Sequence, residues 1–485
     1  LANCTGSAEI ERAILAEVVT VGYAEIAPFD KSAIRGIERL VPGTSLTADL
    51  ASHRVDVHRF WDWQQHVQGL DTSDLQEIGA RYAALLRDAV EERARGTVAA
   101  HVSGGMDSTS VAYLALDRLA ARGRKLHGIS IEYATLRGLR EEAPYLAAAL
   151  QRPGIVRHAI AGDDVLDFDH LDRVPLLDEP CPGLFRAGID MALVDEAAAC
   201  GADTVLTGLG ADELLSDAPF YIADLVRAGH MRQALSESAV WARAATTSRW
   251  KFFRTFGLAP LLPASAEVPR WVLPGFAREA RLRDRRNGRA AKTVVLSEAL
   301  ARLHQTCGDW TRNALASRHG LHVAHPFRDP RLVGFALGVR MRIRPDPHRQ
   351  KAVLSSAMRS VLPPIILERR GKAPFNAVYF RGLSRNQAKL EAMIQASPVD
   401  ALGLFDKSRM IDAVRETALG GRSAAQASGL NNGLAIVHWL SQMPRWMDTV
   451  PKSSRVVTLQ IMDDVAGDAG TSCLRQPEQG RQRAC

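Results

Sequence analysis

The stretch Ser103-Gly104-Gly105-Met106-Asp107-Ser108 stands between an apolar run, TVAAHVS at 97–103, and an amphipathic helical stretch at 107–122. A strand that turns through two glycines straight into a helix leaves the first helical amides pointing outward without intrahelical acceptors. The glycines let the backbone approach an anion closely, and Ser103 and Ser108 add hydroxyl donors, so a pyrophosphate is gripped mainly by neutral groups. Asp107 repels that phosphate unless a cation lies between them, and a magnesium ion bridging the two resolves the conflict. For these six residues alone, a tight turn with Asp107 as helix N-cap is the plainer alternative.

Outward from this loop, strand and helix signals alternate. KLHGISI at 125–131, EEAPYLAAAL at 141–150, GIVRHAI at 154–160 and AGIDMALVDEAAAC at 187–200 follow in turn, the last stopping at Gly201 before DTVLTG. Crossover helices force parallel pairing, so the expected fold class is α/β, a doubly wound parallel sheet with its ligand site beyond the carboxyl ends of the strands. Upstream, Leu75, Ile78, Tyr82, Leu85, Leu86 and Val90 share one helical face, and 35–63 holds short strand signals after the Pro42-Gly43 turn. From about 220 onwards the periodicity is helical, as in DLVRAGHMRQALSESAVWARAA and QKAVLSSAMRSVL. The tail after Pro451 is polar without an apolar repeat and reads as disordered.

A second loop of the same logic, Thr207-Gly208-Leu209-Gly210-Ala211-Asp212-Glu213, follows the DTVLTG strand. In a doubly wound sheet it opens onto the same crevice, bringing Asp212 near Asp107 as a second magnesium ligand, with Gly208 and Gly210 close to the phosphates. Two glycine-rich loops that each deliver an Asp argue for a metal-bound nucleotide. The chain has no GxxxxGK[ST] motif, and GLGADE lacks the third glycine of a dinucleotide fingerprint.

Composition agrees with an enzyme of this kind. The 485 residues are 46% hydrophobic and 24% charged, which gives ample core material and excludes a disordered or collagenous chain. No run approaches the roughly 18 apolar residues that cross a bilayer, and the opening LANCTGSAEIERAI has no export-signal pattern, so neither membrane nor secretion is expected and the cytoplasm is. Six scattered cysteines without a CxxC pair read as reduced thiols, and the 14 histidines show no ligand spacing. The net charge of +7 is concentrated between Arg278 and Lys292, a window without interleaved aromatics that reads as a solvated loop and not as a nucleic-acid site.

With both loops in view, the sequence resembles the asparagine synthetase group of ATP-pyrophosphatase-type amide ligases over roughly residues 75–445. SGGMDS is similar to the family's pyrophosphate loop and TGLGADE to its second magnesium-bearing loop; LLDEP at 176–180, HPFRDPRLV at 325–333 and KAVLSSAMRSVLPPIILERRGKAPF at 351–375 resemble its further segments. The resemblance implies ATP and Mg2+ as cofactors. It implies a carboxylate that attacks the α-phosphate, releases pyrophosphate and passes as an acyl-adenylate to an amine. It also implies that Lys372, in the R-x-x-K-x-x-F segment, is the catalytic cation near the acyl group, that Lys351 matches the lysine of K-x-x-L, and that Asp178 and Glu179 face either the substrate or a structural partner.

Departures from the pattern bear on the subclass. The resemblance divides the chain into 1–70, a remnant of an N-terminal glutaminase-like domain; 71–450, the ligase domain; and 451–485, the tail. Cys4 lacks the surroundings of the glutaminase nucleophile, so glutamine hydrolysis is not expected. Leu209 stands where asparagine synthetases carry an acidic residue between the two glycines, and an aliphatic side chain neither holds nor deprotonates ammonium. This favours relatives that use an amine already present in the substrate, and YIADLVRAGHMRQALSESAVWARAA followed by APLLPAS is most similar to lasso peptide cyclases. The expected partners are then a precursor peptide and a leader-peptide protease. Aspartate is the substrate if the chain is an asparagine synthetase with a truncated glutaminase domain, and neither is turned over by a non-catalytic homologue. Ala211 and the GKAPF sequence depart slightly from the family's loops.

Overall fold

The computed structural model describes residues 9–21, 31–175, 177–262, 268–280, 292–304, 308–369, 371, 373, 375–421, 424–449 and 472–473. An antiparallel hairpin, β1 (Thr44–Asp49) and β2 (Arg54–Arg59), precedes a helix at Leu75–Arg93. Five strands then build one sheet: β3 (Val98–His101), β4 (Leu126–Glu132), β5 (Ile155–Ala161), β6 (Thr204–Leu206) and β7 (His322–Ala324), in the spatial order β5-β4-β3-β6-β7. Every neighbouring pair in it is parallel. The α/β doubly wound arrangement expected from the alternation is therefore present, with a helical region following it.

Period-two alternation decides what each face of the sheet touches. Val98 and Ala100 point into a core with Ile78, Tyr82 and Leu86 of the Leu75–Arg93 helix and Leu116 of the Met106–Ala120 helix. Ala99 points the other way, into a cluster with Met191, Val194 and Leu315 on the Ala187–Ala199 and Gly308–Ser317 helices. All three strand residues are fully buried, as a parallel sheet covered on both faces requires.

The connection order locates the crevice. The chain runs outward from β3 to β4 and β5, then returns to the opposite side of β3 to lay down β6 and β7. Loops leaving β3 and β6 diverge at this reversal, and the ligand crevice of such sheets lies at their carboxyl ends. The loops in question are 102–108 and 207–213.

A second core is helical. Trp271, Phe276, Phe405 and Trp439 are buried in it together with Ile14, Leu15 and Val18 of the Arg12–Val21 helix, so residues near the start of the chain complete the core of its second half. The stretch from Asp224 to Ala245 forms two helices, Tyr221–Arg227 and Met231–Ala244, broken at Gly229 with φ +80°. Gly201, where the Ala187–Ala199 helix stops, takes the left-handed conformation with φ +70° that suits a helix end. Among the described residues no helix is long and apolar enough to cross a membrane. Apart from residues 472–473, which pair with β2, the tail lies outside the described residues, as does most of the basic window after Ala280.

Candidate active site at the switch point

The first loop is shaped by Gly104 and by its serines. Gly104 has φ +69°, and a Cβ there would lie 2.6 Å from the backbone nitrogen of Leu146, so only glycine fits both the dihedral and the space. The Ser103 amide donates to Ser108 Oγ at 3.1 Å, and the two hydroxyls are 3.0 Å apart. Gly105 caps the Met106–Ala120 helix with no side-chain bond, and Thr109 Oγ1 donates to its carbonyl at 2.7 Å. Asp107 sits in the first turn and does not serve as the N-cap.

The second loop lies directly against the first. A Cβ on Gly208 would lie 2.7 Å from the Ser108 nitrogen and 3.0 Å from the Asp107 carbonyl carbon, so the two backbones touch with no room for a side chain. Gly210, with φ +101°, turns the chain into the Ala211–Leu214 helix and packs on Phe327 and Arg328 of the HPFRD segment. Thr207 is tied to the same segment, its amide donating to the Ala324 carbonyl at 3.1 Å and its hydroxyl lying 2.6 Å from His325 Nδ1. Gly208→Ala is therefore expected to lower the unfolding free energy by about 1–3 kcal/mol, the range for forcing atoms into a packed site. Denaturant unfolding measures it, and an unchanged midpoint would contradict the backbone contact.

Asp107 and Asp212 converge on one positive point. Lys351 Nζ lies 2.5 Å from Asp107 Oδ2 and 2.6 Å from Asp212 Oδ1. Burial alone lowers the affinity of this amine for its proton, but the two carboxylates outweigh that effect and hold its pKa above the ordinary value. The Lys351 amide donates to Asp217 Oδ2 at 2.8 Å, and the residue takes the left-handed conformation at φ +46°. Two carboxylates from two strand ends, gathered around a single cation and opening outward at the exposed Asp212, form a donor set suited to a hard divalent ion.

Beside the first loop, at the ends of β3 and β4, opens a cavity of about 540 Å³ walled by Val102, Ile129, Ile131, Tyr133, Leu146 and Phe375. Its size and apolar wall with Ser103, Glu142 and Asp190 at the rim suit a nucleoside. Asp190 is buried and is paired with Arg312 at 2.8 Å. His101 and His325 flank this end of the sheet, and burial, with Arg312 as a further cation near both, holds each down to about 3. A histidine whose folded pKa is depressed takes up its proton only on unfolding, so the stability it contributes is full above about 6.5 and falls as the pH drops toward about 3, by up to ~1.4 kcal/mol per pH unit. Asp167, pushed up to about 6 by burial, acts in the opposite sense below that pH. His101→Asn should therefore flatten the loss of stability between about pH 7 and about pH 5 relative to the parent chain. Denaturant titrations at the two pH values give the comparison, and equal slopes would exclude a neutral buried His101.

Arg369, the arginine of the R-x-x-K-x-x-F segment, and Glu142, which the sequence pattern did not single out, hold the remaining wall. Arg369, buried, forms a bidentate ion pair with Glu142, stacks over the Tyr145 ring at 4.3 Å and donates to the Gly104 carbonyl at 3.3 Å. Arg369 Nε also donates to the Gly371 carbonyl at 2.9 Å, and the Ala373 amide donates to Glu142 Oε1 at 3.0 Å. The GKAPF segment is thus fastened to the first loop from both sides of position 372, although Lys372 itself lies outside the described residues. Glu179 is structural: buried, it pairs with Arg39 at 2.6 Å and accepts from the Ala33 amide at 2.9 Å, while Asp178 is exposed.

Comparison with known proteins agrees with this geometry. The family model described as Asparagine synthase matches residues 81–441. The glutamine-hydrolysing asparagine synthetase 3 of Bacillus subtilis (strain 168) is 21% identical over 472 residues, an alignment that covers 92% of this chain and 71% of that protein. Both glycine-rich loops, Lys351 and the Arg369–Glu142 pair fall within the matched span, which takes in most of the sequence: the chain belongs to the asparagine synthase family and is an ATP-dependent ligase of that type.

Proposed function

We propose that this ligase closes a macrolactam ring in a lasso-type precursor peptide. A side-chain carboxylate of the peptide attacks the α-phosphate of ATP, the bond to pyrophosphate breaks, and an acyl-adenylate results. The peptide's own N-terminal amine then attacks the acyl carbon, AMP leaves with the acyl–oxygen electron pair, and the amine proton passes to solvent or to AMP. Magnesium, held by Asp107 and Asp212 when bound, neutralises charge on the polyphosphate. The chain's own groups do the rest. Backbone amides of Gly104 and Gly105 and the hydroxyls of Ser103 and Ser108 bind phosphate oxygens, Gly208 keeps the second loop against the first while Gly210 turns it toward the phosphates, and Lys372 stabilises the developing oxyanion.

Leu209 is the observation that carries the choice of substrate. It is half-buried in the second loop, with its amide 3.3 Å from Thr207 Oγ1, and its aliphatic side chain supplies no anion at a position where binding of ammonium would need one. An amine supplied by the substrate itself removes that need. The substrate must present a free N-terminus, so a leader-peptide protease acts before this enzyme, and its ATP supply places it in the cytoplasm. The relative in Bacillus favours a second reading, formation of asparagine from aspartate.

ATP–pyrophosphate exchange separates these readings. Exchange should depend on a precursor peptide with an acidic ring-closing residue and should be negligible with free aspartate. Exchange with aspartate alone, followed by ammonia-dependent formation of asparagine, overturns the cyclase reading, and no exchange with either substrate leaves a non-catalytic homologue.

A further inference from the structure

At the opposite end of the sheet from the nucleotide crevice, three potential metal ligands from three separate elements meet. His127 is the second residue of β4, His158 lies on the edge strand β5, and Cys200 follows the Ala187–Ala199 helix. Register explains the meeting. Ile129 pairs with His158, so His127 and His158 are diagonal neighbours on one face of the sheet, the face that carries Ile129 into the cluster with Val194 and Ala197. Glu196 and Cys200 are four residues apart and so share the side of the helix turned to these histidines.

The hydrogen bonds already fix which nitrogens are offered. His127 Nδ1 is 3.0 Å from His158 Nε2, and His158 Nδ1 is 2.9 Å from Glu196 Oε1. An ionised carboxylate can only accept, so His158 donates from Nδ1, and in its neutral form Nε2 presents a lone pair toward His127. One ligand atom from each of His127, His158 and Cys200 lies within 4.8 Å of the other two. Two nitrogens on a tetrahedral zinc ion at about 2.05 Å stand roughly 3.3 Å apart, so the ring pair needs to open by only a few tenths of an ångström.

We propose that His127, His158 and Cys200 form a site for a borderline divalent metal ion, zinc above all, with water as the fourth ligand and Glu196 orienting His158 from the second layer. The metal replaces the proton now shared between the two rings, and the donor set of two imidazoles and a thiolate selects zinc-like ions over magnesium. A carboxylate on the far nitrogen of a ligating histidine fixes its ring and raises its basicity. Burial first, and then His158, lowers the pKa of His127 and keeps that ring free to ligate. Burial raises the Cys200 thiol, so binding expels a proton there and tightens with rising pH. No ligand spacing in the sequence points to this site, because its members are 31 and 42 residues apart along the chain, counted from 127 to 158 and from 158 to 200.

The test uses the full-length chain, stripped with a chelator, kept reduced with a phosphine and titrated with Co2+. The expected result is a thiolate-to-cobalt charge-transfer band that saturates at one ion per chain and is bleached by one equivalent of Zn2+. Cys200→Ser should abolish the band, and Glu196→Gln, which leaves all three ligands in place, should weaken Co2+ binding by about 10–100-fold. Circular dichroism establishes that both variants are folded. Absence of the band in the parent chain under excess Co2+, or a band of undiminished intensity in folded Cys200→Ser, overturns the site.

Discussion

Asp107→Asn is expected to lower ATP–pyrophosphate exchange by about 10²–10³-fold, the range for removing one group that stabilises charge during reaction. The substitution keeps shape and hydrogen-bonding capacity while deleting the charge that faces Lys351. The helix start is held independently by Thr109 Oγ1 on the Gly105 carbonyl and by the Ser103–Ser108 hydroxyl contact, so the fold should persist. Exchange rates measured alongside thermal melting separate the two effects. Exchange within threefold of the parent rate, in a folded variant, would remove Asp107 from the chemistry.

Lys351→Met should cost exchange by a similar factor, about 10²-fold, but it should alter metal binding in the opposite direction. In the parent chain the ammonium occupies the point between Asp107 and Asp212 and competes there with any other cation. Methionine leaves two carboxylates facing each other without a positive partner, and like charges brought together gain from a divalent ion. Mn2+ titration without nucleotide, followed by electron paramagnetic resonance, should show tighter binding in Lys351→Met and weaker binding in Asp107→Asn. Equal Mn2+ affinity in all three proteins would mean that these side chains do not share a cation site. Lys351→Arg is not expected to restore exchange, because a planar fork does not replace a compact point charge between two carboxylates.

How far the sequence disclosed this site depends on the distance over which each constraint acts. The two glycine-rich loops were legible because their demands are local: a strand end, a positive φ at Gly104 and Gly210, and a helix start all lie within a few residues. The strands β3, β4, β5 and β6 were legible because their apolar runs are flanked by helices. β7 escaped attention because His322–Ala324 carries no apolar run, whereas the equally short β6 lies in DTVLTG between a helix and a glycine-rich loop. The pairing of Glu142 with Arg369 escaped for a different reason, although Arg369 stands in the R-x-x-K-x-x-F segment. They are 227 positions apart, and nothing near either one announces a buried ion pair. The KAVLSSAMRSVL stretch kept a helical pattern over twelve residues, yet its helix is confined to Ala352–Ala357, since Lys351 leaves helical geometry to reach the carboxylates and Pro363 follows soon after. For Glu179, the choice between substrate and structural partner needed Arg39 and Ala33, which the chain brings back from 140 and 146 positions away.

The abutment of Gly208 on the start of the Met106–Ala120 helix has a consequence for how this architecture acquires new substrates. A contact between two backbones admits no gradual adjustment through side chains, so the junction of the two glycine-rich loops is nearly closed to variation. Novelty in the acid or the amine has more room at side chains such as Leu209 and in the helices Tyr221–Arg227 and Met231–Ala244. Grafting those two helices alone from a relative with another substrate should redirect the reaction while exchange itself survives, which makes the division between a fixed engine and an interchangeable reader an experimental handle.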